Sequence, residues 1–245
     1  MEFKYIILIV AVAFLLLIMF GLAIVNYSFA EMVDNFNKYS SIKVNKTPDE
    51  FARNINEIYF GNSIKIKYDE KMFSDCFNTS GILTICSKYA FDDNIVGLAI
   101  CAHELGHAFQ VKHQQKRMVA HAKKLKISKF FSYLISPLII AGLITFLVFY
   151  KPLNEIDFTV FSEFYIGIGL VGLGLISLII ALVAKFSTLG LEKDASLKAL
   201  ELLDEFTYLT DEQLSIAKKF LNSAKQTYVA EILRIMLKWT LLVKK

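Results

Sequence analysis

Charge is missing from three long stretches of this chain. Tyr5–Val25, Phe130–Tyr150 and Phe164–Ala184 contain no Asp, Glu, Lys, Arg or His. Each holds 21 residues, enough to span a hydrocarbon core as helix. Composition therefore puts the chain in a membrane. The lack of ionisable groups inside these stretches argues against a transporter or channel component, because such groups usually mark ion pathways. Cysteine is scarce too: Cys76, Cys86 and Cys101 show no C-x-x-C spacing. Their odd number, on a side of the membrane expected to be reducing, points to free thiols rather than a disulfide framework. A metal role for Cys76 and Cys86 is the weaker alternative to small buried residues. A large basic excess is absent as well. The net charge of +4 suits attraction to anionic lipid and excludes a nucleic-acid-binding surface.

The first apolar stretch is too long for a signal peptide and has no small-x-small cleavage site after it, so it reads as a retained anchor. Lys and Arg set the orientation. Gln110–Lys129 carries seven of them and no acid, whereas the loop after the second stretch has Lys151 against Glu155, Asp157 and Glu163. Lys185, Lys193 and Lys198 follow the third. The positive-inside rule then places residues 26–129 and 185–245 in the cytoplasm, with the 151–163 loop and the N-terminus outside.

Histidine is the other rarity, four in the whole chain, and two of them fall in His103-Glu104-Leu105-Gly106-His107. This is H-E-x-x-H. On a helix, residues four apart share a face, so both imidazoles can meet one metal ion while the glutamate activates a metal-bound water. That is the core of a zinc hydrolase, usually a protease. Asp92-Asp93-Asn94 supplies helix-start residues and an acidic first turn, and the apolar run from Ile95 to Cys101 leads into the motif. Gly106 leaves room for another backbone beside the metal. The competing reading is a helix with two surface histidines and a solvated glutamate.

Around this helix the pattern gives further elements. Thr47-Pro48-Asp49-Glu50 opens an amphipathic helix to about Tyr59, stopped by Gly61-Asn62. Ser63–Tyr68 and Ile82–Cys86 read as strands, with a turn at Asn78–Gly81. A small sheet or hairpin thus precedes the motif, and its edge is a candidate for aligning an extended substrate. The motif helix is expected to run to about Lys126. Pro137 is a candidate kink in the second span. Gly167, Gly169 and Gly172 match a dinucleotide fingerprint by letter, but inside an apolar stretch they read as a helix-packing face. Leu189–Glu205, a helix capped by Thr210 and Gln213, and a last helix over about Tyr228–Leu242 complete the chain.

A catalytic zinc site needs a third protein ligand. His113 and His121 are candidates by type. His113 sits at the metzincin spacing, but Gln110 stands where that pattern needs glycine, and six residues put His113 on the far side of the helix from His107. Glu192 lies beyond the third span. Two crossings return the chain to the side of the histidines, so His103, His107 and Glu192 can meet there; Asp194 is the reserve.

The pieces Phe36–Ser40, Ala99–Gln110, Thr188–Leu200 and Leu221–Ala230 resemble the putative neutral zinc metallopeptidase family of bacterial membrane proteins, the YugP-like group. The similarity runs over nearly the whole chain. The family's segment T-L-P-V-E-F-N-A-S corresponds to Thr188–Ser196, and its glutamate falls on Glu192. Gly190 replaces proline and Asp194 replaces asparagine. Asp75-Cys76-Phe77-Asn78 stands where the family has D-H-Y-D.

The expected protein is a mainly α membrane protein with three transmembrane helices and a cytoplasmic, gluzincin-like zinc-protease core built from the H-E-x-x-H helix and a small β-hairpin or sheet. Residues 1–25 are the anchor, 26–129 the protease core, 130–184 a transmembrane hairpin, and 185–245 a helical part supplying the third ligand. His103, His107 and Glu192 are expected to hold Zn2+, with Glu104 as general base on the zinc-activated water. Tyr228 is a candidate second donor to the oxyanion, against the plainer reading of a core tyrosine. The expected substrate is a peptide or protein, membrane-associated proteins included; the other partner is the lipid bilayer, and no nucleic acid is expected. The resemblance implies a bacterial membrane protein, and the three apolar stretches with the Lys and Arg distribution imply a multi-pass chain with the active site on the cytoplasmic side. The alternatives are a non-proteolytic zinc-binding membrane scaffold and another zinc amidohydrolase.

Overall fold

Thr47 shows how this sequence starts a helix. Its side chain accepts a hydrogen bond from the Glu50 amide, the Glu50 carboxylate accepts one from the Thr47 amide, and Pro48 fills the first helical position. In the computed structural model, which describes residues 16, 23, 26–28, 30–71, 75–148 and 163–223, this reciprocal cap opens α2 (Pro48–Phe60). Gly61, at φ 56°, closes it in the left-handed conformation. A preceding helical stretch, α1, covers 30–39. The remaining elements are β1 (Lys65–Asp69), β2 (Cys76–Phe77), β3 (Ile82–Cys86), the short α3 (Ser87–Ala90), α4 (Ile95–Val148), α5 (Glu163–Phe186), α6 (Leu189–Thr207) and a helix α7 over 211–223. The protein is thus mainly helical with one small sheet. The first apolar stretch, the 151–163 loop apart from its final residue, and the expected last helix lie outside the described residues.

The sheet has the order β1-β3-β2. The turn at Asn78–Gly81 joins β2 to β3 as an antiparallel hairpin, and the Asn78 carboxamide oxygen accepts the amides of Ser80 and Ile82. β1 lies parallel to β3, so the two strands legible in the sequence are not each other's hairpin partners. β2 was not expected: two residues are too few to show a period.

The chain divides into two units. The first unit contains residues 124–187, and the second combines 28–123 with 188–227. In the second, Phe51 and Ile55 of α2, Leu83 and Ile85 of β3, Leu98 and Leu105 of α4, Leu202 of α6 and Phe220 of α7 form one buried core. Each such side chain contributes about 1.5–3 kcal/mol on removal from water. In the first unit, the later part of α4 packs on α5. A Cβ on Gly142 would meet the Gly167 carbonyl oxygen at 2.7 Å, and Gly174 lies as tightly against Ile139. Gly169 and Gly172 have open space instead, so of the expected small-residue face only Gly167 lies at the contact. The Ser128 hydroxyl donates to the Ala181 carbonyl at 2.9 Å. Ile168, Leu173, Ile176, Ile179 and Val183 are exposed. Among the described residues, two helical stretches, within Ile95–Thr145 and Tyr165–Thr207, are long and apolar enough to cross a membrane.

α4 departs from expectation twice. Asp92 and Asp93 stay outside it and pair with Lys43; its cap is Asn94, whose side-chain oxygen accepts the Gly97 amide at 2.6 Å. The expected acidic first turn is therefore absent. The helix also does not run straight to Lys126. Gln114 leaves the helical region, at φ −136° and ψ 40°, and the chain then resumes helix through Pro137, where no such break occurs.

Candidate metal centre

His103 and His107 lie one turn apart on α4, with ring centroids 4.8 Å apart. Gly106 between them faces α6. A Cβ there would collide with the Ala195 carbonyl oxygen, with the carbonyl carbon only 3.1 Å away. The missing methyl group lets the two backbones approach until Glu192, one turn before Ala195, reaches both imidazoles. Its Oε2 stands 3.4 Å from His103 Nε2 and 3.4 Å from His107 Nε2. The structure therefore brings His103, His107 and Glu192 into one cluster, with candidate ligand atoms within 4.8 Å of one another.

A zinc ion suits this cluster. Zinc bonds of roughly 2.1 Å in a tetrahedron would space two ligand atoms about 3.4 Å apart, the separation of Oε2 from each imidazole nitrogen. Glu192 is 2% exposed, and its Oε2 is buried with no hydrogen-bond partner. A buried carboxylate oxygen between two imidazoles, without a hydrogen-bond partner, suits a cation. Electrostatics agree. Burial alone would raise the Glu192 carboxyl, but the surrounding His103, His107 and His121 hold it well below the usual carboxylate range. Burial would lower His107, yet Glu192, Glu104 and Gln110 together raise it to about 9.

Each histidine is held from behind. The Gln110 side-chain oxygen accepts from His107 Nδ1 at 3.0 Å, and its nitrogen donates to the Leu191 carbonyl at 2.7 Å. Ser196 Oγ donates to the Glu192 carbonyl at 2.9 Å and lies 3.2 Å from His103 Nδ1. With Nδ1 so engaged, each ring presents its Nε2 lone pair to the site. Gln110, which breaks the metzincin pattern, thus ties the motif helix to α6.

Glu104, between the two histidines in sequence, is held by the sheet. Its Oε2 accepts the Phe77 amide at 2.8 Å, so the outer edge of β2 faces this carboxylate. Asp75 secures that edge: it accepts the Cys86 amide at 2.9 Å and the Tyr89 hydroxyl. Burial pushes the Asp75 carboxyl up despite these bonds.

Other candidates fall elsewhere. His113 stacks on Phe109, centroids 6.3 Å apart, away from Glu192, and Asp194 is exposed. Tyr228 lies outside the described residues. None of the three cysteines forms a disulfide: Cys76 is exposed, Cys86 and Cys101 are buried, and none joins the histidine cluster. His121 is the residue the sequence left unplaced. Its Nε2 is 3.2 Å from Glu192 Oε1. Fourteen residues of unbroken helix would set it about 21 Å along the axis from His107. The bend at Gln114 brings the two ring centroids to 6.3 Å.

The sequence profile of a family described as "Putative neutral zinc metallopeptidase" matches residues 11–244. A curated protein of Bacillus subtilis (strain 168), named "Putative membrane protease YugP", is 23% identical over 202 residues, covering 81% of this chain and 81% of its own. No solved structure matches the chain.

Proposed function

We propose that this chain, which belongs to the putative neutral zinc metallopeptidase family, is a gluzincin-like membrane peptidase with His103, His107 and Glu192 as metal ligands and Glu104 as general base. The observation that carries the reading is the convergence of three chemically suitable side chains on one point, with Glu192 Oε2 buried there and unpartnered. A zinc ion in that position supplies Lewis acidity, lowering the pKa of water and polarising a carbonyl oxygen. Glu104, next to His103 in sequence and half-buried, takes the proton of the attacking water and returns it to the departing amine. The Phe77 amide holds this carboxylate from the β2 side. An extended peptide aligned with the β2 edge would run past Glu104, and main-chain hydrogen bonds would give it affinity largely independent of its side chains.

The name of the Bacillus subtilis relative and the two apolar helices support a membrane location. The Lys and Arg distribution supports a multi-pass chain with Glu104 on the cytoplasmic side. Peptides and membrane-associated proteins are the substrates this location favours.

The first test is zinc content of the detergent-purified full chain, wild type against Glu192→Ala, followed by peptide hydrolysis with and without a chelator. One zinc per wild-type chain, its loss or marked weakening in the variant, and chelator-sensitive cleavage are expected. Zinc binding unchanged by the substitution would remove Glu192 from the ligand set. Zinc bound without any peptide hydrolysis would make the protein a zinc-binding scaffold.

A further inference from the structure

We propose that His121 is a positioning residue for Glu192, fixing the carboxylate so that a single oxygen faces the metal position. The inference rests on the metal-site reading above and extends it to a residue outside the H-E-x-x-H motif. The two carboxylate oxygens have different neighbours. Oε2 faces His103 and His107, both at 3.4 Å; Oε1 faces His121 Nε2 at 3.2 Å. A carboxylate whose second oxygen accepts a hydrogen bond binds a metal through one atom. The same carboxylate set free can swing both oxygens onto the ion, and the second oxygen would take the place a catalytic site keeps for water.

The surroundings of His121 separate this role from packing. The residue is 6% exposed, and its Nδ1 is buried with no hydrogen-bond partner. Its contact with Glu192 is the one the ring makes through nitrogen. A buried imidazole that served only to fill space would be more stable as an apolar side chain. His121 differs from Ser196 and Gln110 in what it holds: they orient the two imidazoles, and it orients the carboxylate. With all three, each of the proposed ligands has a partner behind it. The bend at Gln114 supplies the geometry, since it returns His121 to the face of α4 that carries the motif.

The test uses the full chain in detergent and measures zinc affinity by competition with a chromophoric chelator for wild type, His121→Ala, His121→Asn and His121→Gln. The glutamine amide nitrogen falls near the position of Nε2 and can donate to Oε1; the asparagine amide falls near Nδ1 and cannot. Alanine and asparagine are expected to weaken zinc by about 10–100-fold, the usual cost of removing a partner of a ligand, with glutamine restoring affinity to within a few-fold. Affinity unchanged in the alanine and asparagine variants would overturn the proposal. So would glutamine failing as badly as alanine, which is the behaviour of a direct metal ligand. Glutamine is close in size to histidine, so its result stands even where alanine disturbs folding. Wild type that binds no zinc would instead overturn the metal-site reading itself.

Discussion

A carboxylate as deeply buried as Glu192 requires something to balance its charge. His107 contributes to this: beside Glu192 it is raised to about 9, while Glu192 is held well below the usual carboxylate range. A dication held there would compete with the His107 proton, which would couple binding to proton release. Glu104 has a different task and a different setting. It is half-buried, bonded to a backbone amide, and separate from the cluster of ligand atoms. Glu104→Gln keeps an oxygen for the Phe77 amide and loses the basic group. The variant is expected to bind zinc within a few-fold of wild type and to lose about 10²–10⁴-fold in kcat. Zinc stoichiometry and steady-state peptide hydrolysis check this together; near-wild-type turnover would sink the general-base role.

At the scale of elements, the site depends on how closely α4 and α6 approach. Gly106→Ala puts a methyl group onto the Ala195 carbonyl, where backbone rather than a flexible side chain must yield. The expected cost is about 1–3 kcal/mol of stability, together with a clear loss of zinc affinity as Glu192 is pushed from the histidines. Denaturant unfolding and chelator competition read the two effects, and a variant equal to wild type in both would show that the helices need not touch here. The sequence disclosed this contact as a glycine that leaves room for another backbone beside the metal, without showing that the backbone is that of Ala195. It disclosed the two caps fully, because Thr47 with Glu50 and Thr210 with Gln213 bond locally and need no tertiary context. The bend at Gln114 left no trace: no proline or glycine marks it, and it lies in a polar run whose periodicity continues as helix. That silence hid His121, which helical arithmetic places far from the motif. Glu192 was legible as a candidate, because the two expected crossings permit its return beside the histidines and the family's glutamate falls on this position in the resemblance.

For the whole molecule, metal binding should be visible as folding stability. Residues from α4 and α6 meet in the same unit, so an ion that binds this arrangement and not the unfolded chain stabilises it by RT ln(1 + [L]/Kd), about 2.7 kcal/mol at a hundredfold excess over Kd. Thermal unfolding of the detergent-solubilised chain is expected to shift upward with zinc and downward with chelator. The zinc response should vanish in His103→Ala. An equal response in that variant would assign the stabilisation to another site. The order of the pieces along the chain has a further consequence, one of timing. Translation delivers His103, Glu104 and His107 well before Glu192, and the two apolar helical stretches are made in between. A nascent chain therefore carries the hydrolytic motif for some eighty residues of synthesis without the carboxylate that would complete it. On the proposed ligand set, peptidase activity would be withheld until α6 has been made, so the order of synthesis would itself spare the unfinished polypeptide from that chemistry.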